Sequence, residues 1–82
     1  MFDKLKQINE IRQLQNTIKQ ERVEVERQGV RVMMRGDFEI EHLTLNPDLD
    51  TKTQEKIVMQ CINEAKQKIQ GILAKNFAGK LF

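Results

Sequence analysis

The sequence predicts an α+β protomer with the order helix, three antiparallel strands, helix. Three observations carry this: apolar residues three and four apart along residues 2–21, a switch to alternation from Arg22 with glycine at both turns, and a return to helical spacing over about 52–76. At 82 residues the chain has room for one small domain, 1–82. A chain of this size buries only about 60% of its unfolded surface. With 39% apolar residues, no Trp and no Tyr, its core is thin. One cysteine excludes an internal disulfide, and no Cys/His cluster offers a structural metal site. A second subunit is therefore the expected support, and a homodimer is predicted.

The first helix, about 2–21, follows from Phe2, Leu5, Ile8, Ile11, Leu14 and Ile18, spaced 3, 3, 3, 3 and 4 among Lys, Arg, Gln and Asn. This narrow stripe suits one neighbouring helix. Asp3 fits the positive N-terminal end, as cap or first-turn charge.

At Arg22 the period becomes two. Val23 and Val25 alternate with Glu24 and Glu26 (strand about 22–28), and Val30, Val32 and Met34 with Arg31, Met33 and Arg35 (strand 30–35). A two-residue turn at Gln28-Gly29 opposes Val25 to Val32, Val23 to Met34 and Glu26 to Arg31, which makes one face apolar. The third strand, about 38–45, follows a three-residue loop read as Arg35-Gly36-Asp37. That loop sets Met34 against Phe38, Val32 against Ile40 and Arg31 against Glu41; a two-residue loop would set Met34 against Glu39. Leu43 and Leu45 have the parity of Glu39 and Glu41, not of Phe38 and Ile40. Either a bulge near His42 turns the strand over, or the strand carries an apolar patch on its second face. Such a patch suits a subunit contact, so Leu43 and Leu45 are the expected dimer-interface residues.

Asn46-Pro47 ends the strand. The second helix, about 52–76, can be capped by Asp50, Thr51 or Thr53; Thr51 with Gln54 as a capping box is preferred. Val58, Ile62, Ala65, Ile69 and Ile72 follow a 4-3-4-3 rhythm, the seam of a helix pair.

The near-zero net charge of +2 hides segregation. Residues 1–22 carry five basic side chains against three acids, net +2; residues 23–50 carry three against seven, net −4; residues 51–82 carry six against two, net +4. The helices are basic and the sheet acidic. Lys4, Lys6, Arg12 and Lys19 on the first helix and Lys66, Lys68 and Lys75 on the second are the candidate nucleic-acid contacts. Arg12 and Lys19 lie seven apart, as do Lys68 and Lys75, so each pair shares a helix face. The plainer reading is a solvated face with Glu64 and Lys68 as an i,i+4 pair.

Enzymatic chemistry finds little support. Cys61 falls on the apolar stripe and reads as a small core residue. His42, the only histidine, points away from the adjacent Glu41. The paired glutamates face arginines across an open sheet, which is a charge ladder rather than an acid–base pair. No Gly-rich phosphate loop, metal spacing, apolar leader or membrane span is visible. No catalytic residue, cofactor, metal or small-molecule substrate is expected, and the chain reads as soluble and cytoplasmic.

Five stretches in this order resemble the YbaB/EbfC family of bacterial nucleoid-associated DNA-binding proteins, over about residues 1–76. They are Met1-Phe2-Asp3-Lys4-Leu5-Lys6-Gln7, Val23-Glu24-Val25 with Gly29-Val30-Arg31-Val32, Gly36-Asp37-Phe38-Glu39-Ile40, Leu45-Asn46-Pro47, and Cys61-Ile62-Asn63-Glu64-Ala65. The resemblance implies an α-β-β-β-α protomer that dimerises through its sheet, with projecting helices, and binds double-stranded DNA at the nucleoid without an enzymatic reaction. A competing class is a prefoldin-type, holdase-like interaction module, although helices of about 30 and 36 Å are short for grasping clients.

Overall fold

In the computed structural model, which describes residues 2–77, the elements run α1 (Phe2–Gln20), β1 (Arg22–Arg27), β2 (Val30–Arg35), β3 (Ile40–Thr44) and α2 (Thr51–Phe77). The strands form one antiparallel sheet in the order β1-β2-β3. Alternation in β1 and β2 places Val23, Val25, Val30, Val32 and Met34 on one face, where all are buried. The helix laid on that face is α2. Its buried residues are Ile57, Cys61, Ala65 and Ile69, a spacing of four throughout, with Val58, Ile62, Ile72 and Leu73 half-buried beside them. The expected 4-3-4-3 seam is met at Ala65 and Ile69, while Ile57 and Cys61 are buried in place of Val58 and Ile62. The partner is a sheet rather than a second helix, and a ridge of i±4 side chains is what meets it.

The first hairpin has the expected register, with Val23 opposite Met34, Val25 opposite Val32 and Glu26 opposite Arg31. Gln28 at φ 51° and Gly29 at φ 84° make the two-residue turn whose twist matches the strands. The side chain of Asn46 braces it by donating from Nδ2 to the Gln28 carbonyl at 2.7 Å.

The second hairpin corrects the expected register. Its loop is Gly36-Asp37-Phe38, one residue later than Arg35-Gly36-Asp37. The Phe38 N–H donates to the Arg35 carbonyl at 2.9 Å, and the Arg35 N–H donates to the Glu39 carbonyl at 2.8 Å. Phe38 takes φ 68°, the left-handed residue that closes a three-residue loop after a type I turn. That conformation removes Phe38 from the strand, so β3 starts at Ile40. The Arg35 guanidinium stabilises the shifted loop by donating to both oxygens of Asp37, at 2.8 and 2.6 Å, and by pairing with Glu39.

A bulge follows immediately. Met34 opposes Ile40, but Met33 opposes His42 and Val32 opposes Leu43, so Glu41 is the extra residue. Of the two readings of Leu43 and Leu45, the bulge is the correct one. It turns Leu43 to the face of Val32, the side covered by α2, and leaves Arg31 opposite Thr44 instead of Glu41. Every residue of β3 stays exposed, because α2 covers β1 and β2 only.

At the start of α2, Asp50 is the cap rather than Thr51. Its Oδ2 accepts from the Thr53 N–H at 3.3 Å, and its carbonyl accepts from the Gln54 N–H at 2.9 Å. Hydrogen bonds to the carboxylate from the Thr53 side chain and then from the Thr53 N–H lower the Asp50 pKa. The Gln54 side chain is not free for a capping box, since its Oε1 accepts the Asn46 N–H at 2.6 Å.

Among the described side chains, helix α1 adds none to the buried core. Ile8 and Ile11 are exposed, and Leu14 and Ile18 are half-buried. An i+3 spacing turns about 60° per step at 3.6 residues per turn, so the stripe winds around the helix instead of facing one neighbour. The helix is held at its C-terminal end. The Gly36 N–H donates to the Glu21 carbonyl at 2.9 Å, and Arg22 donates to the carbonyls of Lys19 and Glu21 while pairing with Glu41. A cation there also complements the negative helix end. The result is elongated, with a radius of gyration of 16.6 Å against roughly 12 Å for a compact chain of this length.

Two predictions follow from these contacts. A Cβ on Gly36 would lie 1.9 Å from the Ile18 carbonyl oxygen, a backbone atom that cannot swing away. Gly36→Ala should therefore cost about 1–3 kcal/mol in urea unfolding. Hydrogen exchange should show early loss of protection in α1 and little change in α2. Uniform loss across both helices would mean that Gly36 supports the core rather than the seat of α1.

The Arg35 hydrogen bonds lower the Asp37 carboxyl to about 2 from 3.8, and the same bond raises the Arg35 pKa. A depressed carboxyl stabilises the fold fully above its unfolded value, and that contribution is lost as pH falls from there through about 2. Side-chain carboxyl NMR should record this titration, and Arg35→Gln should return Asp37 toward the ordinary range. An unchanged Asp37 in that variant would break the assignment.

Candidate nucleic-acid interface

Charge in this molecule is sorted by how it is partnered. Each arginine of the sheet has a carboxylate: Arg22 with Glu41, Arg27 with Glu64 at 3.3 Å, Arg31 with Glu24 at 3.6 Å, and Arg35 with Asp37 and Glu39. Two of these pairs join strands, Arg31 with Glu24 and Arg22 with Glu41, in place of the expected Arg31 between Glu26 and Glu41; Arg35 pairs within its loop and Arg27 with α2. The basic residues of the helices stand apart from it. Lys6, Arg12 and Lys19 on α1 and Lys52, Lys56, Lys66, Lys68 and Lys75 on α2 are exposed, and none forms an ion pair among the described residues. The side chain of Lys4 lies outside those described.

The plain alternative for Lys68 was a pair with Glu64. The fold assigns Glu64 elsewhere: its two oxygens face Nε and Nη2 of Arg27 at 3.3 and 3.4 Å, joining the end of β1 to α2. A planar guanidinium matches a carboxylate on two atoms, which an ammonium cannot do.

By the helical repeat of about 100° per residue, the basic residues of α2 do not form one group. Lys68 and Lys75 lie about 20° apart, on the flank where Glu64 reaches β1. Lys66 lies about 160° from Lys68, on the flank of Met59. The structure therefore brings Lys68 and Lys75 together and separates Lys66 from them. Lys52 and Lys56 extend the exposed positive charge to the start of α2; sequence reasoning assigned them no role, although their i,i+4 spacing signals a shared face.

Lysine ammonium groups on flexible stems act as point charges, which suits phosphate oxygens. Reading base edges favours the bidentate fork of arginine, and apart from Arg12 the arginines here are engaged with carboxylates. Cys61 is fully buried, its Sγ 3.9 Å from the Val30 carbonyl, and burial raises its pKa away from the reactive thiolate.

A separate apolar groove of about 540 Å³ runs between β3 and α2, lined by Leu43, Leu45, Thr51, Gln54, Glu55, Val58 and Met59. Leu43 is 48% exposed, Leu45 52% and Met59 58%, so three large apolar side chains meet solvent around one groove beside an open strand edge. Val58 and Met59 are members of this surface that sequence reasoning missed. No helix among the described residues is long and apolar enough to cross a membrane.

Nothing matches the chain among curated proteins or among solved structures. The profile of the YbaB/EbfC DNA-binding family does match, over residues 1–80, nearly the full length and every element described above. The chain, with its α-β-β-β-α order and its basic helices flanking an internally paired sheet, belongs to the YbaB/EbfC DNA-binding family.

Proposed function

We propose that this protein is a non-enzymatic, nucleoid-associated homodimer of the cytoplasm that binds double-stranded DNA through phosphate contacts. The observation that carries the reading is the division of charge: the sheet arginines are consumed by carboxylates, while the helix cations have no ion-pair partner among the described residues. Lys4, Lys6, Arg12 and Lys19 of α1 and Lys68 and Lys75 of α2 are the proposed contacts, with Lys66 on the outer flank of α2. Two-fold symmetry doubles this surface. With no Trp or Tyr to stack bases, duplex is favoured over single strand, and lysine contacts give modest sequence preference.

The groove at Leu43 and Leu45 is the proposed dimer contact. Its support is the exposed apolar surface around an unpaired strand edge in a protomer whose core involves only two of three strands. Leu43→Asp should fold, since Leu43 is half-exposed. Sedimentation equilibrium should then show monomer, because association would bury an unpaired charge. A dimer of unchanged affinity would move the interface elsewhere.

For DNA, neutralising about six phosphates gives a slope of log K against log salt of roughly −5. Lys68→Glu with Lys75→Glu should weaken binding to two unrelated duplexes alike and flatten that slope. Fluorescence anisotropy across a salt series measures both quantities. Equal affinities and slopes for the two proteins would take the DNA surface off α2. A folded wild type without salt-dependent binding, but able to retain an unfolded protein, would replace this reading with the interaction-module class.

A further inference from the structure

On an isolated helix, Glu64 and Lys68 would pair, since a glutamate four residues before a lysine is the favoured orientation. Such a pair would tie up the lysine and place negative charge beside the Lys68–Lys75 flank. Glu64 is also the only acid of α2 beyond Glu55. In the fold, Arg27 reaches from the end of β1 and meets both oxygens of Glu64, at 3.3 and 3.4 Å. Neither side chain is buried, and the pair closes no part of the core, so a surface pair of this kind adds little to stability. Its effect is electrostatic and local: it neutralises the one acid next to Lys68.

We propose that Arg27 is a positioning residue for DNA binding, holding Glu64 away from Lys68 so that the flank carrying Lys68 and Lys75 stays wholly basic. Arg27 acts through Glu64 and does not itself contact phosphate. The inference rests on the DNA-binding reading and adds to it a residue outside the helices.

The test is a set of affinities and salt slopes on one duplex, with urea unfolding of each protein as a stability control. Arg27→Gln should bind about two- to fivefold more weakly, with a slope reduced by up to about one counterion per protomer, while its unfolding midpoint stays close to wild type. Adding Glu64→Gln to that variant should restore affinity to within about twofold of wild type. In a Lys68→Gln background, Arg27→Gln should change affinity very little. Wild-type affinity in Arg27→Gln overturns the proposal. So does failure of Glu64→Gln to restore binding, which would make Arg27 a phosphate ligand. An undiminished effect in the Lys68→Gln background also overturns it, since Arg27 would then act only through net charge. If the folded wild type binds no duplex at any salt, the DNA-binding reading falls and this inference with it; binding by wild type with a flat response to Arg27→Gln removes this inference alone.

Discussion

The apolar ridge of α2, seated on the inner face of β1 and β2, is the contact on which the other features of the protein depend. Ile57, Cys61, Ala65 and Ile69 meet Val23, Val25, Val30, Val32 and Met34, and these nine side chains are the buried apolar core among the described residues. Burial of each larger aliphatic is worth about 1.5–3 kcal/mol. The small Cys61 and Ala65 at the centre of the ridge let the helix backbone approach the sheet closely. Because all of this apolar area goes into one helix and two strands, nothing remains to cover β3 or to anchor the length of α1.

Those two elements are therefore tied by polar and backbone contacts rather than by burial. α1 is held where its last turn meets Gly36 and where Arg22 links its final carbonyls to Glu41 of β3. β3 is held by its ladder to β2 and by the Arg35–Asp37–Glu39 cluster that fixes its loop. The bulge at Glu41 has two consequences at once. Glu41, the extra residue, meets Arg22, and the shift it introduces returns Leu43 to the inner face beyond the reach of α2. The same extra residue thus helps seat α1 and creates the open apolar groove.

Electrostatics follow the same division. A carboxylate-rich sheet would repel a polyanion, but Glu24, Asp37, Glu39 and Glu41 are paired with its arginines at short range, and such pairs project little field beyond about a Debye length. The lysines of the helices have no such partners among the described residues, so their field reaches outward. Arg27 extends this logic from the sheet to the helix, since a residue of β1 neutralises an acid of α2. An acidic sheet and basic helices remain distinct surfaces in a chain whose net charge is only +2.

Much of this was legible in the sequence because it depends on local pattern. Alternation of Val23, Val25, Val30, Val32 and Met34 determines a half-buried hairpin, Gln28-Gly29 determines its turn, and the recurrence of Val58, Ile62, Ala65, Ile69 and Ile72 determines a helix with one apolar face, while the fold selects Ile57 and Cys61 over Val58 and Ile62 for the buried ridge. The order of elements and the basic character of both helices follow from the same reading. The sequence could not decide choices among groups of equal chemistry. Arg35 can pair across the loop in more than one register, and only the left-handed Phe38 with the Asp37 contacts selects Glu39 as its opposite. Asp50 and Thr51 are both good caps, and the demand of Asn46 on Gln54 favours Asp50. Glu64 has a lysine four residues away in sequence and an arginine 37 residues away that only folding brings near. Local periodicity reports which face a side chain occupies; which neighbour that face meets is set by the packing of α2 on the sheet, and distance along the chain carries no record of it.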